Sequence, residues 1–439
     1  MITKIKFGAF KSHINSELPL EPLTIIVGAN ASGKTNALEG LRLLSTIATG
    51  AELGHALEES EGHIRGGSNQ CAPFGKEVFS LGCEFQLPHN DDVERFIYEV
   101  SLSNGNPPLI ENESIRFALE PQRIPLFAVD GSDKSIMTVR VKVDNFQKGA
   151  NKPYVTLMAR IPVLFQIVPA IRLHRRTREN KNLINRHKMI VEQITTSLSS
   201  IFVFNPVPDI IRDAGYISIE KNEMDPTGKN LSGVLYNIFS KDKGKKDEII
   251  NLLKALPEHE ILDIKFVETK KQDVQLFVQE RFHGNLLEVP LSLLSDGTIR
   301  LLAILATAFS SRQGSLIVIE EVDTSLHPST VGRLLDSLAN VAQKNDARLL
   351  VTTHNSALLD AVKPENYRSV VLCFRQIQDG YSNFIRLIDV PDIETFILRE
   401  KLGQIIVNTR YYKLLRKSEE ERKAEREQIL FNWKAMGGA

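Results

Sequence analysis

The stretch GANASGKT, Gly28 to Thr35, lies directly behind the apolar run Leu23-Thr24-Ile25-Ile26-Val27 and constrains the chain more than any other segment. It reads as strand, glycine loop, helix. Ala37, Leu38, Leu41, Leu43 and Leu44 fall at helical spacing after Lys34, and nothing breaks them before Gly50. The pattern G-x-x-x-x-G-K-[ST] is fully matched. Its glycines, Gly28 and Gly33, let successive backbone N–H groups turn inward as an anion nest at the start of a helix. Lys34 then reaches β- and γ-phosphates, and Thr35 offers its hydroxyl to magnesium. Asn30, Ala31, Ser32 and Asn36 complete the set expected to contact a nucleotide.

A loop of this kind does not say which nucleotide chemistry follows, so the rest of the chain has to narrow it. Its 439 residues leave room for two or three domains, and its hydrophobic and charged fractions are those of a soluble globular protein. Lys plus Arg balance Asp plus Glu at 54 each, so no global field commits it to nucleic acid or to a membrane. Cys71, Cys83 and Cys373 are scattered, which fits a reducing compartment and argues against a disulfide scaffold or a cysteine zinc site. The opening MITKIKFGAF shows no basic-then-apolar leader, and no run of about eighteen apolar residues occurs. The expectation is a cytoplasmic protein with no membrane segment.

Residues 1 to 27 predict a strand, a turn and the apolar return strand ending at Val27. From about Phe79 to Val143, short alternating stretches separated by Asn, Gly and Pro predict an antiparallel sheet. The run RLHRRTRENKNLINRHK, 172–188, carries seven cations against Glu179 alone and predicts an exposed helix. LSLLSDGTIRLLAILATAF, SLIVIEEVDTSLHPS and ARLLVTTH then read helix, buried strand, turn, helix, buried strand, the order of a parallel α/β sheet. The ending KLLRKSEEERKAEREQILFNW predicts a charged helix, either a solvated face or an oligomer contact.

Three further segments carry chemistry. LIVIEEVD ends a buried strand in Glu320 and Glu321, which supply a magnesium-side acid and a base to orient water. LLSDGT opens a helix at which Ser295 and Gly297 present a hydroxyl and N–H groups to a phosphate. LLVTTH closes an apolar strand with His354. A histidine there is structural or contacts a γ-phosphate, and its place in the order favours the second.

The set GANASGKT, LLSDGT, VIEEVDTSLHP and VTTH, in that order, resembles the Walker A, signature, Walker B plus D-loop and switch-histidine motifs of ABC-type ATPases. The opening FGAFKSHINSELPLEPLTIIVGANASGKTNALEGLRLL is similar to the first strands and Walker helix of the SMC, RecF and OLD-like branch, and LHP after the acidic pair points the same way. The resemblance implies an α/β ABC-ATPase head with a mixed or parallel P-loop sheet, an antiparallel β subdomain and a helical insertion. It divides the chain into a first ATPase lobe (1–165), an insertion (166–290), a second lobe (291–390) and a charged helical tail (391–439). ATP and Mg are the implied ligands, with Lys11 and Ser12 near adenine and ribose. Glu320 takes the magnesium-side role usually held by Asp, Glu321 and His354 act on the attacking water and γ-phosphate, and Asp323 sits in the D-loop across a dimer. Gln70 and Gln86 are candidates for the glutamine loop. LSDGT departs from the transporter-like LSGGQ, and Glu320 from the commoner Asp; both variants suit the OLD-like branch.

FNPVPDIIRDAGYISIEKNEMDPTGKNLSGVLYNIF, 204–239, is similar to a segment of ATPase subunits of bacterial anti-phage systems of the Septu and PARIS types. That implies a homodimer, or a higher even homo-oligomer, with composite ATP sites that controls an effector protein such as a nuclease or toxin. The stretch after His354 has no D-x-D and no histidine, so nuclease activity in this chain is not expected. The alternative is a RecF- or SMC-like DNA-repair clamp. Arg172 to Lys188 is then the candidate phosphate-backbone contact, although a solvated face accounts for the run equally well. A transporter subunit is disfavoured by the variant signature and the long middle insertion.

Overall fold

The computed structural model describes residues 1–407 apart from 59–63, 90–91, 148–150, 175–179, 255, 257–259, 327, 377 and 398–399. The opening residues form two strands where the alternation predicts one. β1 (Ile2–Phe10) pairs antiparallel with β2 (His13–Pro19) around a tight turn in which Lys11 is left-handed, φ 50°. β3 (Leu23–Val27) then leaves that hairpin for another part of the sheet. Next come β4 (Val78–His89), β5 (Asp92–Ser103), β6 (Ile110–Phe117), β7 (Phe127–Asp133), β8 (Thr138–Val143) and β9 (Tyr154–Met158). Beyond them lie β10 (Ile201–Phe204), β11 (Ile217–Ser218), β12 (Glu260–Glu268), β13 (Asp273–Phe282) and β14 (Asn285–Pro290). The last four are β15 (Leu316–Ile319), β16 (Arg348–Thr353), β17 (Val370–Arg375) and β18 (Ser382–Arg386).

Among the described residues, fourteen of these strands make one mixed sheet in the order β10-β15-β16-β3-β17-β18-β2-β1-β4-β5-β6-β7-β8-β9. From β10 to β17 every pairing is parallel. From β2 to β9 every pairing is antiparallel. β18 joins the halves: it is antiparallel to β17 and meets β2 at the single pair Ser382 and His13. β11 to β14 form a second, smaller sheet.

The parallel strands are largely apolar because helices cover both of their faces. Leu23, Ile25 and Val27 of β3 enter one core and Ile26 the other; Ile317 and Ile319 of β15 separate from Leu316 and Val318 in the same way. The helix Lys34–Ile47 belongs to the second core, with the helices Val163–Leu173 and Lys181–Ser199. The helix Asp296–Phe309 lies in the first and is buried along its length from Thr298, apart from half-buried Arg300. The helix behind the phosphate loop and the helix behind LSDGT therefore occupy opposite faces of one sheet. Burial of the antiparallel strands alternates instead, as in β9, because one face meets solvent.

The basic run does not form one exposed helix. Arg172 is exposed near the end of Val163–Leu173, and a second helix starts at Lys181 after an Asn180 cap whose side chain accepts from the Leu183 amide. Leu183, Ile184 and His187 are buried and Arg186 pairs with Glu94, because the second helix packs its apolar stripe on the sheet. Arg175, Arg176, Arg178 and Glu179 lie outside the described residues. At the other end, Leu402 and Ile405 of the short helix Leu402–Val407 are buried; the charged run from 408 onward lies outside the described residues.

Candidate functional site

β3, β16 and β15 are parallel neighbours in register, with Thr353 opposite Val27 and Val351 opposite Ile319. Their carboxyl ends therefore open at one edge, where an α/β sheet offers its loops to a ligand. β3 delivers Gly28 to Gly33, β15 delivers Glu320 and Glu321, and β16 delivers His354. Three motifs far apart in sequence meet because adjacent strands carry them.

The loop itself is held by its carbonyls. Arg375 Nε donates to the Ala31 carbonyl (2.8 Å), the Cys373 thiol to that of Ser32 (3.4 Å), and His13 Nε2 lies 3.0 Å from that of Gly33. Lys34 Nζ donates to the carbonyls of Gly28 (2.6 Å) and Ala29 (3.0 Å). Gly28 has no alternative residue, since a Cβ there would stand 2.3 Å from the Cys373 carbonyl and 2.6 Å from Ser32 Oγ. Gly33, the residue capping the helix, is left-handed at φ 114° and abuts Ser382 Oγ. The first-turn amides of the helix have no intrahelical acceptor and remain for an anion. Ser32 Oγ is buried with no partner, an unsatisfied hydroxyl inside the nest. Burial lowers the Lys34 pKa, opposed by the nearby carboxylates of Glu321 and Glu320.

On the acidic side, Glu321 is left-handed at φ 49°, with its N–H donating to Thr352 Oγ1 (2.9 Å) and its carboxylate accepting from Thr324 Oγ1 (3.1 Å). His354 Nδ1 lies 3.8 Å from Glu321 Oε1, and both side chains are half exposed. Glu320 faces Arg42 of the phosphate-loop helix at 4.0 Å. Asp323 is buried, and its Oδ1 has no partner. Among the described residues no three His, Cys, Asp or Glu side chains form a metal cluster. Thr35 and Glu320 could serve as sparse donors to magnesium, which keeps waters and takes the rest of its shell from phosphate oxygens.

Lys11 and Ser12 lie in the β1–β2 turn. Lys11 is bound to the buried carboxylate of Glu39, and its Nζ donates to the Arg65 carbonyl (2.9 Å). Ser12 Oγ accepts from Asn36 Nδ2 (2.8 Å) and from Ser382 Oγ (2.8 Å), which ties the turn to the phosphate-loop helix. Of the two glutamines, Gln70 immediately precedes Cys71, whose carbonyl accepts from the Lys11 amide; Gln86 faces Met1 at the far end of β4. Ser295 and Gly297 stand apart. Ser295 caps the helix Asp296–Phe309 through the Thr298 amide (3.2 Å), and a Cβ at Gly297 would meet the Ser325 carbonyl at 2.3 Å. Among the described residues no hydrogen bond or ion pair joins them to Gly28–Asn36. Arg212 fixes this turn by binding Asp296 and the Leu294 carbonyl (3.0 Å).

Sequence reasoning missed His13, Glu39, Arg42, Arg65, Cys373 and Arg375. Glu39 had a signal, a carboxylate between the apolar positions Leu38 and Leu41 of one helix. Cys373 and Arg375 had none, since only the sheet order brings β17 beside the loop.

A family model described as "AAA domain, putative AbiEii toxin, Type IV TA system" matches residues 23–116 and 201–360, more than half of the chain. Those spans hold the glycine loop, the acidic strand end and His354. No curated protein matches the sequence. Among solved structures, the chain is similar to a Smc head bound to the C-winged helix domain of ScpA, with 14% identity, 88% of this chain and 96% of that one covered, and a TM-score of 0.46. It is also similar to a Smc head with an extended coiled coil bound to the C-terminal domain of ScpA derived from Pyrococcus furiosus (12%, 91% and 99%, 0.42). A third is the SMC head domain from Thermotoga maritima (14%, 88% and 98%, 0.37).

Proposed function

The chain belongs to this AAA family, and from that premise we propose that it is an ABC-type, OLD-like ATPase that binds and hydrolyses ATP and uses the cycle as a switch. The observation that carries the reading is the delivery of Lys34, Glu321 and His354 to one sheet edge by three adjacent parallel strands. In the proposed reaction the nest and Lys34 hold the phosphates, and Thr35 with Glu320 would hold magnesium, which supplies charge neutralisation at the β- and γ-oxygens. Glu321, oriented by Thr324, accepts a proton from the attacking water. The bond from γ-phosphorus to the bridging oxygen breaks, leaving ADP and phosphate. His354 steadies Glu321 and faces the γ-phosphate.

Ser295 and Gly297 serve the nucleotide of a second protomer, with Asp323 beside it, so the catalytic unit is a homodimer or a higher even homo-oligomer. Supporting this is their separation from the chain's own glycine loop, together with a capped helix whose N-terminal turn is exposed at Ser295 and Asp296. ATP closes two heads and hydrolysis reopens them, so the free energy goes into engaging a partner. In the cell, the partner is an effector nuclease or toxin of an anti-phage defence complex.

The test is affinity capture of the tagged protein from its native host with and without ATP, resolved by mass spectrometry. A stoichiometric nuclease or toxin-like companion whose recovery changes with ATP is the expected result. Recovery of DNA and repair proteins alone would replace the defence reading with a DNA clamp, and Arg172 would then be mutated first.

A further inference from the structure

His13 carries none of the motifs and lies on β2, in the antiparallel half, yet it touches the glycine loop. It is fully buried, with its ring stacked between Phe7 (4.9 Å, 30°) and Phe384 (4.9 Å, 7°). Its Nε2 lies 3.0 Å from the Gly33 carbonyl and its Nδ1 3.0 Å from Ser16 Oγ. A carbonyl only accepts, so the proton sits on Nε2, and Nδ1 accepts from the Ser16 hydroxyl. This ring is neutral: burial pushes its pKa down to about 4, opposed by the Gly33 and Ser382 backbone.

The Gly33 carbonyl has a second task. It accepts from the Ala37 amide (3.0 Å), the first bond of the phosphate-loop helix. Gly33 is also the left-handed residue at which the loop becomes helix, and beside it Ser382 Oγ donates to Ser12 Oγ, which accepts from Asn36 as well. The junction is therefore gripped from β2 and β18. Arg375 and Cys373 grip the two preceding carbonyls from β17.

We propose that His13 is a positioning residue for the nucleotide: by holding the Gly33 carbonyl outward it keeps the amides of Gly33 to Thr35 aimed at the phosphates, and it links that nest to the Lys11–Ser12 turn. The inference rests on the ATPase reading for its consequence but not for its geometry. It commits His13 to ground-state binding of phosphate, with no part in the chemical step.

The variant His13→Phe keeps a ring between Phe7 and Phe384 and removes both hydrogen bonds; His13→Gln restores a donor for the Gly33 carbonyl. Two readouts are made on the full chain: steady-state ATP hydrolysis, and amide hydrogen exchange over residues 28–36 without nucleotide. The expected result for His13→Phe is a KM raised roughly three- to tenfold, the worth of one hydrogen bond, with kcat within about twofold. Exchange over 28–36 should accelerate while other segments of the sheet do not, and His13→Gln should recover part of both effects. Wild-type KM and unchanged exchange in His13→Phe would overturn the proposal. So would a uniform rise in exchange across the chain, which would make His13 a packing residue only. If the wild type hydrolyses no ATP, the ATPase reading fails, and the exchange experiment still decides whether His13 holds the loop.

Discussion

The two halves of the large sheet are built differently and contribute differently. The parallel half, β10 to β17, is buried on both faces, so its strands have little freedom and their carboxyl ends present side chains at fixed places. The antiparallel half has one solvated face. From its first hairpin, His13 of β2 holds the Gly33 carbonyl, while Ser12 and Lys11 of the β1–β2 turn bind Asn36 and Glu39 of the helix behind the loop. The motifs that announce chemistry in the sequence all belong to the parallel half or to the helices packed on it, while the residues that brace the loop come from both halves, Arg375 and Cys373 from β17 and His13 from β2. A motif marks what touches a ligand, and topology decides what supports it.

The comparison can be broken most forcefully at Lys34. Lys34→Ala removes a half-buried cation from the nest, and ATP affinity by equilibrium binding should fall on the order of a hundredfold or more; affinity within threefold of wild type would remove the parallel half's claim to the site. Ser295→Arg blocks the signature turn and leaves the glycine loop intact. Steady-state turnover should drop on the order of a hundredfold, as for the loss of a phosphate-stabilising donor, with ATP still bound and dimer formation lost in ultracentrifugation. Full turnover by a Ser295→Arg monomer would end the composite-site reading.

The antiparallel half is probed through pH. His13 has a folded pKa of about 4 against 6.5 unfolded. As pH falls below 6.5 the unfolded chain binds a proton that the folded chain refuses, so the stability conferred by the neutral ring is present above 6.5 and is lost down to 4. Between pH 7 and 5, wild type should lose roughly 2 kcal/mol relative to His13→Phe in urea unfolding. A gap independent of pH would contradict the buried neutral ring. The smallest effect belongs to Glu113, whose carboxylate accepts from the Val163 and Leu164 amides (2.7 and 2.8 Å) and from the Tyr98 hydroxyl (3.1 Å). This caps the helix Val163–Leu173 from β6. Glu113→Gln should cost about 1 kcal/mol of stability and leave KM for ATP unchanged; a shifted KM would show that the outer strands reach the site after all.

Legibility in the sequence followed the same division. The helix–strand–helix–strand order from 296 to 353 was readable because continuous apolar runs alternate with helical periodicity between polar turns. The hairpin β1–β2 was not, since seven residues of β2 between two other strands carry few apolar positions, and a left-handed Lys11 gives no composition signal for a turn. The exposed basic helix was misread because charge counts ignore the other face: Leu183, Ile184 and His187 fall on one stripe of a helix and bury it. His13 could not have been selected, because its partners Gly33 and Ser382 are brought to it by strand order alone.

The central claim, hydrolysis at the edge where β3, β15 and β16 open, is tested most directly by Glu321→Gln. Equilibrium ATP binding and single-turnover release of phosphate would be measured side by side in wild type and variant. The account predicts affinity within about threefold of wild type and a hydrolysis rate lower on the order of a hundredfold or more, since the amide cannot take the proton from water. Hydrolysis at the wild-type rate in Glu321→Gln would contradict the assignment of the base and, with it, the reading of the acidic strand end.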